Sequence, residues 1–187
     1  MVQTPSKSLT LEEFLKLPET RPASEYIDGK IVQKTLPQGR HSAIQTELAA
    51  TINLMFRKKW IARAFSKLRC SFGGRAIVPD ISVYTWERIA RREDGEIDNV
   101  FAIAPDWTIE ILSPDQGQTN VIKNILHALK YDTQIGWLID PKEKSVLIFY
   151  RDRPTAIFDE FNSVLPVPDF AKEFELTVGD LFSLLLE

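Results

Sequence analysis

The sequence predicts an α/β fold: a central mixed β-sheet flanked by helices, preceded by a short helix and a β-hairpin. Three observations carry that expectation. His41 to Trp60 places Ile44, Leu48, Ile52, Met55 and Phe56 on one helical stripe. Two short apolar runs, Trp107–Leu112 and Gly136–Ile139, read as buried strands, and Val121, Ile122, Ile125, Leu126 and Leu129 between them read as a helical crossover. Asp28-Gly29 stands between β-forming residues, which is a hairpin signal.

The elements follow in chain order. Thr10 is an N-cap for Leu11-Glu12-Glu13-Phe14-Leu15, with acids in the first turn, and Pro18 ends that helix. Glu25 to Val32 is the hairpin. After the long helix, Ala62–Phe72 and Ala76–Trp86 read as two strands joined at Gly73-Gly74. Ile89 to Asn99 is polar and charged and reads as a mobile connection. Trp107–Leu112 suits a central strand ended by Ser113-Pro114. The crossover helix ends near Tyr131. Gly136–Pro141 and Val146–Tyr150 form an antiparallel pair, and the tail holds a strand or two and a helix near Val178 to Leu186.

A chain of 187 residues, 44% of them apolar and 26% charged, fits one globular domain over 1–187. Met1 to Leu11 lacks the apolar stretch of a secretory leader, and runs such as Leu181–Leu186 are too short to span a bilayer, so a cytoplasmic protein with no membrane partner is expected. The single cysteine, Cys70, excludes an internal disulfide and, with two histidines, a cysteine-rich zinc site. It reads as a small buried strand residue. The net charge of −3 argues against non-specific coating of nucleic acid. Arg57-Lys58-Lys59 and Arg88, Arg91, Arg92 are local basic clusters, which either solvate the surface or meet phosphates.

No P-loop, dinucleotide fingerprint, HExxH or GxSxG motif is present. The residues with chemical promise are carboxylates inside apolar strands. Asp80 lies in Val78-Pro79-Asp80-Ile81-Ser82-Val83, where Pro79 removes a ladder donor and implies an edge or bulge. Glu110 lies in Trp107-Thr108-Ile109-Glu110-Ile111-Leu112. A buried carboxylate is costly unless it is paired or binds a metal. Two on neighbouring strands repel each other, and either a divalent cation or a buried Arg or Lys would resolve the conflict. Magnesium, which favours oxygen ligands and keeps several waters, would leave positions for phosphate oxygens and an attacking water.

Pro79-Asp80 followed by Glu110 in the next core strand resembles the PD-(D/E)xK motif. With Glu25-Tyr26-Ile27-Asp28-Gly29, His41 opening a helix, Ile109–Pro114 and Trp137–Pro141 in this order, the chain resembles the restriction-endonuclease-like family formerly called domain of unknown function 820. That resemblance covers most of the chain and implies a restriction-endonuclase-like core. It implies Asp80 and Glu110 as ligands of Mg2+ or Mn2+, with the Ile111 carbonyl and Glu25 as further ligands. His41 would contact phosphate or an acid of the site, and Glu47 stands where many members carry another acid. The motif's lysine, two residues after the Glu, is Leu112 here. In the slot that family members use on the following helix stands Asn124, with Lys123 one residue earlier, and Lys67 in the strand before Asp80 is another donor.

The resemblance thus implies a metal-dependent nuclease hydrolysing DNA, with Asp80, Glu110 and Lys123 as catalytic residues and His41 and Lys67 as substrate contacts. A homodimer is expected, since cutting two antiparallel strands calls for two sites related by a two-fold axis. The alternative, favoured by Leu112 and the acidic net charge, is a nuclease fold that binds nucleic acid or protein without cutting. A third reading is an interaction domain of unrelated role.

Overall fold

The computed structural model describes residues 9–114 and 116–186. Helix α1 (Leu11–Leu15) opens with the expected Thr10 cap, and Glu13 closes the capping box by bonding back to the Thr10 amide. Strands β1 (Ser24–Ile27) and β2 (Lys30–Gln33) pair antiparallel through Asp28 and Gly29, both at positive φ (51° and 82°) as a tight primed turn requires. Helix α2 (Gly39–Phe56) buries Ile44, Leu48, Ile52 and Phe56 along its inner stripe.

The two long strands expected before and after Gly73-Gly74 are each broken in two. Strands β3 (Ala62–Ser66), β4 (Cys70–Phe72), β5 (Arg75–Ile77) and β6 (Ile81–Thr85) result. β4 and β5 form the glycine hairpin and join β1 and β2 in a four-stranded sheet of order β2-β1-β5-β4. β3 and β6 pair with each other in a second sheet. The breaks fall at Lys67–Arg69, where Lys67 has φ 52°, and at Val78–Asp80, where Pro79 has no N–H to give. Pro79-Asp80 therefore lies where the chain crosses from one sheet to the other.

The second sheet continues with β7 (Trp107–Ile111), β8 (Ile135–Asp140), β9 (Ser145–Tyr150) and β10 (Ala156–Phe158), in the order β10-β9-β8-β7-β6-β3. Only β7 and β8 are parallel, connected by helix α3 (Gln118–Lys130). Both strands are buried on both faces, which explains their continuous apolar sequences. Side chains alternate across the sheet. Ile109, Ile111, Trp137 and Ile139 pack with α2 and helix α4 (Val178–Ser183), while Leu138 and Phe149 pack with Val121, Ile125 and Leu129 of α3. The mixed central sheet flanked by helices is thus the observed fold. Ile89 to Asn99, expected to be a mobile connection, is instead folded back on itself. Arg91 bridges to Ile97, Asp98 N bonds Ala90 O at 2.9 Å, and Ile89 is buried. No helix among the described residues is long and apolar enough to cross a membrane.

Candidate active site

The register of β6 against β7 pairs Ile81 with Ile109, so one step further along the ladder Asp80 comes beside Glu110. Both side chains are buried, 3% and 2% exposed. Asp80 is held on every side. Its Oδ2 accepts from the Ile111 amide at 2.9 Å and lies 3.1 Å from His41 Nε2, while Gln45 Nε2 donates to its carbonyl at 2.7 Å. His41 and Gln45 stand on the inner side of the first turns of α2.

Between the two carboxylates sits an ammonium. Lys34, the residue after β2, donates to Asp80 Oδ1 at 3.2 Å, to Glu110 Oε2 at 3.0 Å and to the Val78 carbonyl at 2.7 Å. These three acceptors use all three protons of the amine. Its backbone amide bonds Ala23 O at 2.9 Å, which fixes where the side chain starts. Of the two resolutions open to the sequence, a cation of the protein therefore pairs the acids here. Glu25, on β1, completes the cluster: Oε1 accepts from the Val78 amide at 2.8 Å and Oε2 from Asn124 Nδ2 at 2.9 Å. Among the described residues the buried Oδ1 of Asn124 has no partner, and neither has His41 Nδ1.

The electrostatics follow from three acids crowded around one fixed cation. Burial disfavours a charged Lys34, but Glu110, Asp80 and Glu25 outweigh it and hold the ammonium far above the usual lysine range. Burial also works against ionised Asp80, yet Lys34, His41 and the Ile111 amide keep its carboxyl below the usual range. Glu110 goes the other way. Burial, reinforced by Asp80 and Glu25, pushes it well above the usual range, and Lys34 offsets only part of this.

Two cavities open on Lys34 and its acids. One of about 410 Å³ is lined by Lys34, His41, Lys67 and Asp80. The other, about 190 Å³, is lined by Lys34, Glu25, Glu110 and Asn124. Among the described residues no three His, Cys, Asp or Glu side chains converge to hold a metal by themselves. The donor set still fits a hard cation that keeps much of its water. Two buried carboxylate oxygens already converge on one positive charge, and oxygen ligands are what magnesium favours.

The family model for Uma2, described as putative restriction endonuclease, matches residues 11–179. The chain belongs to the Uma2 family. The crystal structure of a putative nuclease belonging to DUF820 from Anabaena variabilis ATCC 29413 is 61% identical to it, covers 94% of this chain and 98% of that one, and superposes with a TM-score of 0.93. No curated protein matches the chain.

In this Uma2 chain the structure brings Asp80, Glu110, Glu25 and His41 together, with the Ile111 amide on Asp80. Lys67 lines the larger cavity and donates its backbone amide to Asp80 O at 3.1 Å, but its side chain is exposed. Lys123, expected as the catalytic lysine, lies on the exposed side of α3, because one residue is about 100° of helix and it is Asn124 that shares the inner side with Val121 and Ile125. Glu47 is likewise exposed, and the α2 residues that reach the site are His41 and Gln45. The basic clusters are partly spent on internal pairs: Arg88 with Asp106, Lys59 with Glu173, Arg92 with Asp94. Sequence reasoning missed Lys34. The signal that could have found it is charge balance, since three buried acids demand a buried cation.

Proposed function

We propose that this protein is a metal-dependent nuclease that hydrolyses DNA phosphodiester bonds, with Asp80 and Glu110 as the ligands of Mg2+ or Mn2+. One observation carries the reading: two buried carboxylates, Asp80 just before β6 and Glu110 in β7, share a single cation position, at 3.2 and 3.0 Å from the Lys34 amine, beside open cavities. The Ile111 carbonyl and Glu25 complete the expected ligand set. Hydrolysis forms one P–O bond from water and breaks the bond to the leaving sugar oxygen, which takes up the proton the water gives up. A bound dication supplies Lewis acidity and a lowered pKa for water. The chain's own contributions are positional. His41 and the Ile111 amide fix the rotamer of Asp80, the β7 ladder fixes Glu110, and the cavity beside Lys67 admits the phosphate strand. Cutting both strands of a duplex calls for two copies of the site, so the reading includes a homodimer.

The test is calorimetric titration of Mg2+ and Mn2+ into wild type and Asp80→Ala, with nicking of supercoiled plasmid by the same samples. Binding and nicking are expected in wild type and both vanish in the variant. Metal binding without nicking favours the reading in which this fold binds without cutting, for which Leu112 in the usual lysine position speaks. No metal binding at millimolar concentration overturns the proposal.

A further inference from the structure

We propose that Lys34, delivered by the β1–β2 hairpin, is the catalytic lysine of this site, placing its ammonium on the phosphate being cleaved. The inference rests on the nuclease reading above and adds the residue that β7 and α3 do not provide. Leu112 is buried against Val121, Ile125 and Leu138, so that position is part of the core. Asn124 faces the site but carries no charge, and Lys123 faces solvent. Lys34 reaches both acids from a different element. Its side chain is 15% exposed and lines both cavities, so Lys34 is reached from either one and is not part of the sealed core.

A purely structural counter-ion would fit the same distances, but its surroundings speak for more. The backbone of Lys34 is anchored through Ala23, and the flexible four-carbon stem between that anchor and the charge lets the ammonium change partners without moving the hairpin. Asp80 and Glu110 would hold a dication with the same oxygens that now bond the ammonium. The Lys34 amine would then have the two flanking cavities to enter, where a phosphate oxygen would supply the acceptor it had lost. A fixed positive charge on that phosphate stabilises the charge that builds up as the bond breaks.

The experiment compares wild type, Lys34→Met, Lys34→Arg and the double variant Lys34→Met/Asn124→Lys, which returns an amine to the cavity that Lys34 and Asn124 share. Each is read by plasmid nicking, by Mn2+ titration calorimetry and by thermal melting. Lys34→Met is expected to lose roughly 10²–10³-fold in kcat, the usual effect of deleting one charge-stabilising donor. Its KM for DNA should change far less, and it should bind Mn2+ more tightly than wild type because no ammonium competes. The double variant should regain at least part of the lost rate. Should Lys34→Met fail to fold, Lys34→Arg keeps the counter-charge. It still loses rate if the amine must reach phosphate, and loses none if Lys34 only balances charge. Unimpaired nicking by Lys34→Met, or by Lys34→Arg in that case, with wild type active, overturns this inference alone. A wild type that neither binds metal nor nicks overturns the nuclease reading and the inference with it.

Discussion

Helix α3 holds Asn124 against Glu25, and its seat on the sheet depends on one missing side chain. Gly136 in β8 lies under Ile125. A Cβ there would stand 2.3 Å from Ile125 Cγ2 and 3.4 Å from Thr108 Cγ2. Carbon atoms rest at about 3.5–4.0 Å, so Gly136→Ala demands a displacement of more than about 1 Å. Ile125 cannot swing clear, since it is 1% exposed and a β-branched residue in a helix has one strongly preferred χ1. The helix must lift instead. Overpacking of this kind costs about 1–3 kcal/mol, and with both neighbours fixed we expect the upper half of that range. At about 2–4 °C per kcal/mol for a chain of this size, the melting temperature should fall by about 4–12 °C. Urea and thermal unfolding of Gly136→Ala, Ile125→Ala and the double variant measure it. Ile125→Ala alone should cost about 2–5 kcal/mol, and adding Gly136→Ala in that background should cost almost nothing. Equal cost of Gly136→Ala in both backgrounds would refute the steric argument, as would a single variant within about 0.5 kcal/mol of wild type.

Three further outcomes follow from particular contacts. Asn124→Ala leaves Glu25 Oε2 without its 2.9 Å donor in a buried site and should cost about 1–3 kcal/mol in urea unfolding; a loss below about 0.5 kcal/mol would mean the bond is not made in solution. Burial pushes the Cys70 thiol up to about 11, so at pH 8 only about one molecule in a thousand carries the reactive thiolate. Labelling by a disulfide reagent should therefore appear only as the protein unfolds, and rapid native labelling would contradict it. Burial lowers the His127 pKa below its ordinary value, and Nε2 lies 3.1 Å from Phe72 O with the ring stacked on Phe72. The unfolded chain then binds more protons than the folded one, so stability is complete above about pH 6.5 and falls as pH drops through that value. His127→Gln should flatten this acid slope, and an unchanged slope would count against it.

Much of the architecture was readable because its signals are local. The α2 stripe is a matter of period, the β1–β2 turn a matter of Asp-Gly chemistry, and Asp80 and Glu110 were conspicuous as charges inside apolar strands. The split of the two long strands was not readable in the same way. Ala62–Phe72 is a nearly continuous β-forming run, and its passage between sheets at Lys67–Arg69 is decided by what pairs with it, β6 on one side and β5 on the other. Lys34 lies in Gln33-Lys34-Thr35, a polar stretch with no motif and no period, and it acquires its role from residues 46 and 76 positions away. The choice between Lys123 and Asn124, by contrast, was within reach. Val121 and Ile125 set the phase of the inner stripe, and at about 100° per residue position 124 falls about 60° from Val121, at the edge of that stripe, while 123 falls about 160° from both, on the opposite side.

The acid excess around Lys34 bears directly on the proposed dication. Glu25, Asp80 and Glu110 are each at most 4% exposed and share one buried ammonium. In a core built only for stability such an arrangement is a poor bargain, since a buried ion pair is often no better than apolar residues of the same volume and an unbalanced charge is worse. The imbalance shows in the opposite displacements of the two carboxyls: Lys34 and His41 keep Asp80 ionised against its burial, while burial, reinforced by Asp80 and Glu25, drives Glu110 toward its neutral form. Exchanging a single positive charge for a double one at that position would relieve both at once and release the ammonium toward the cavities. The strand crossover at Val78–Asp80 thus sets the acids beside one another, and the hairpin that ends at Lys34 sets the charge that a metal would have to displace.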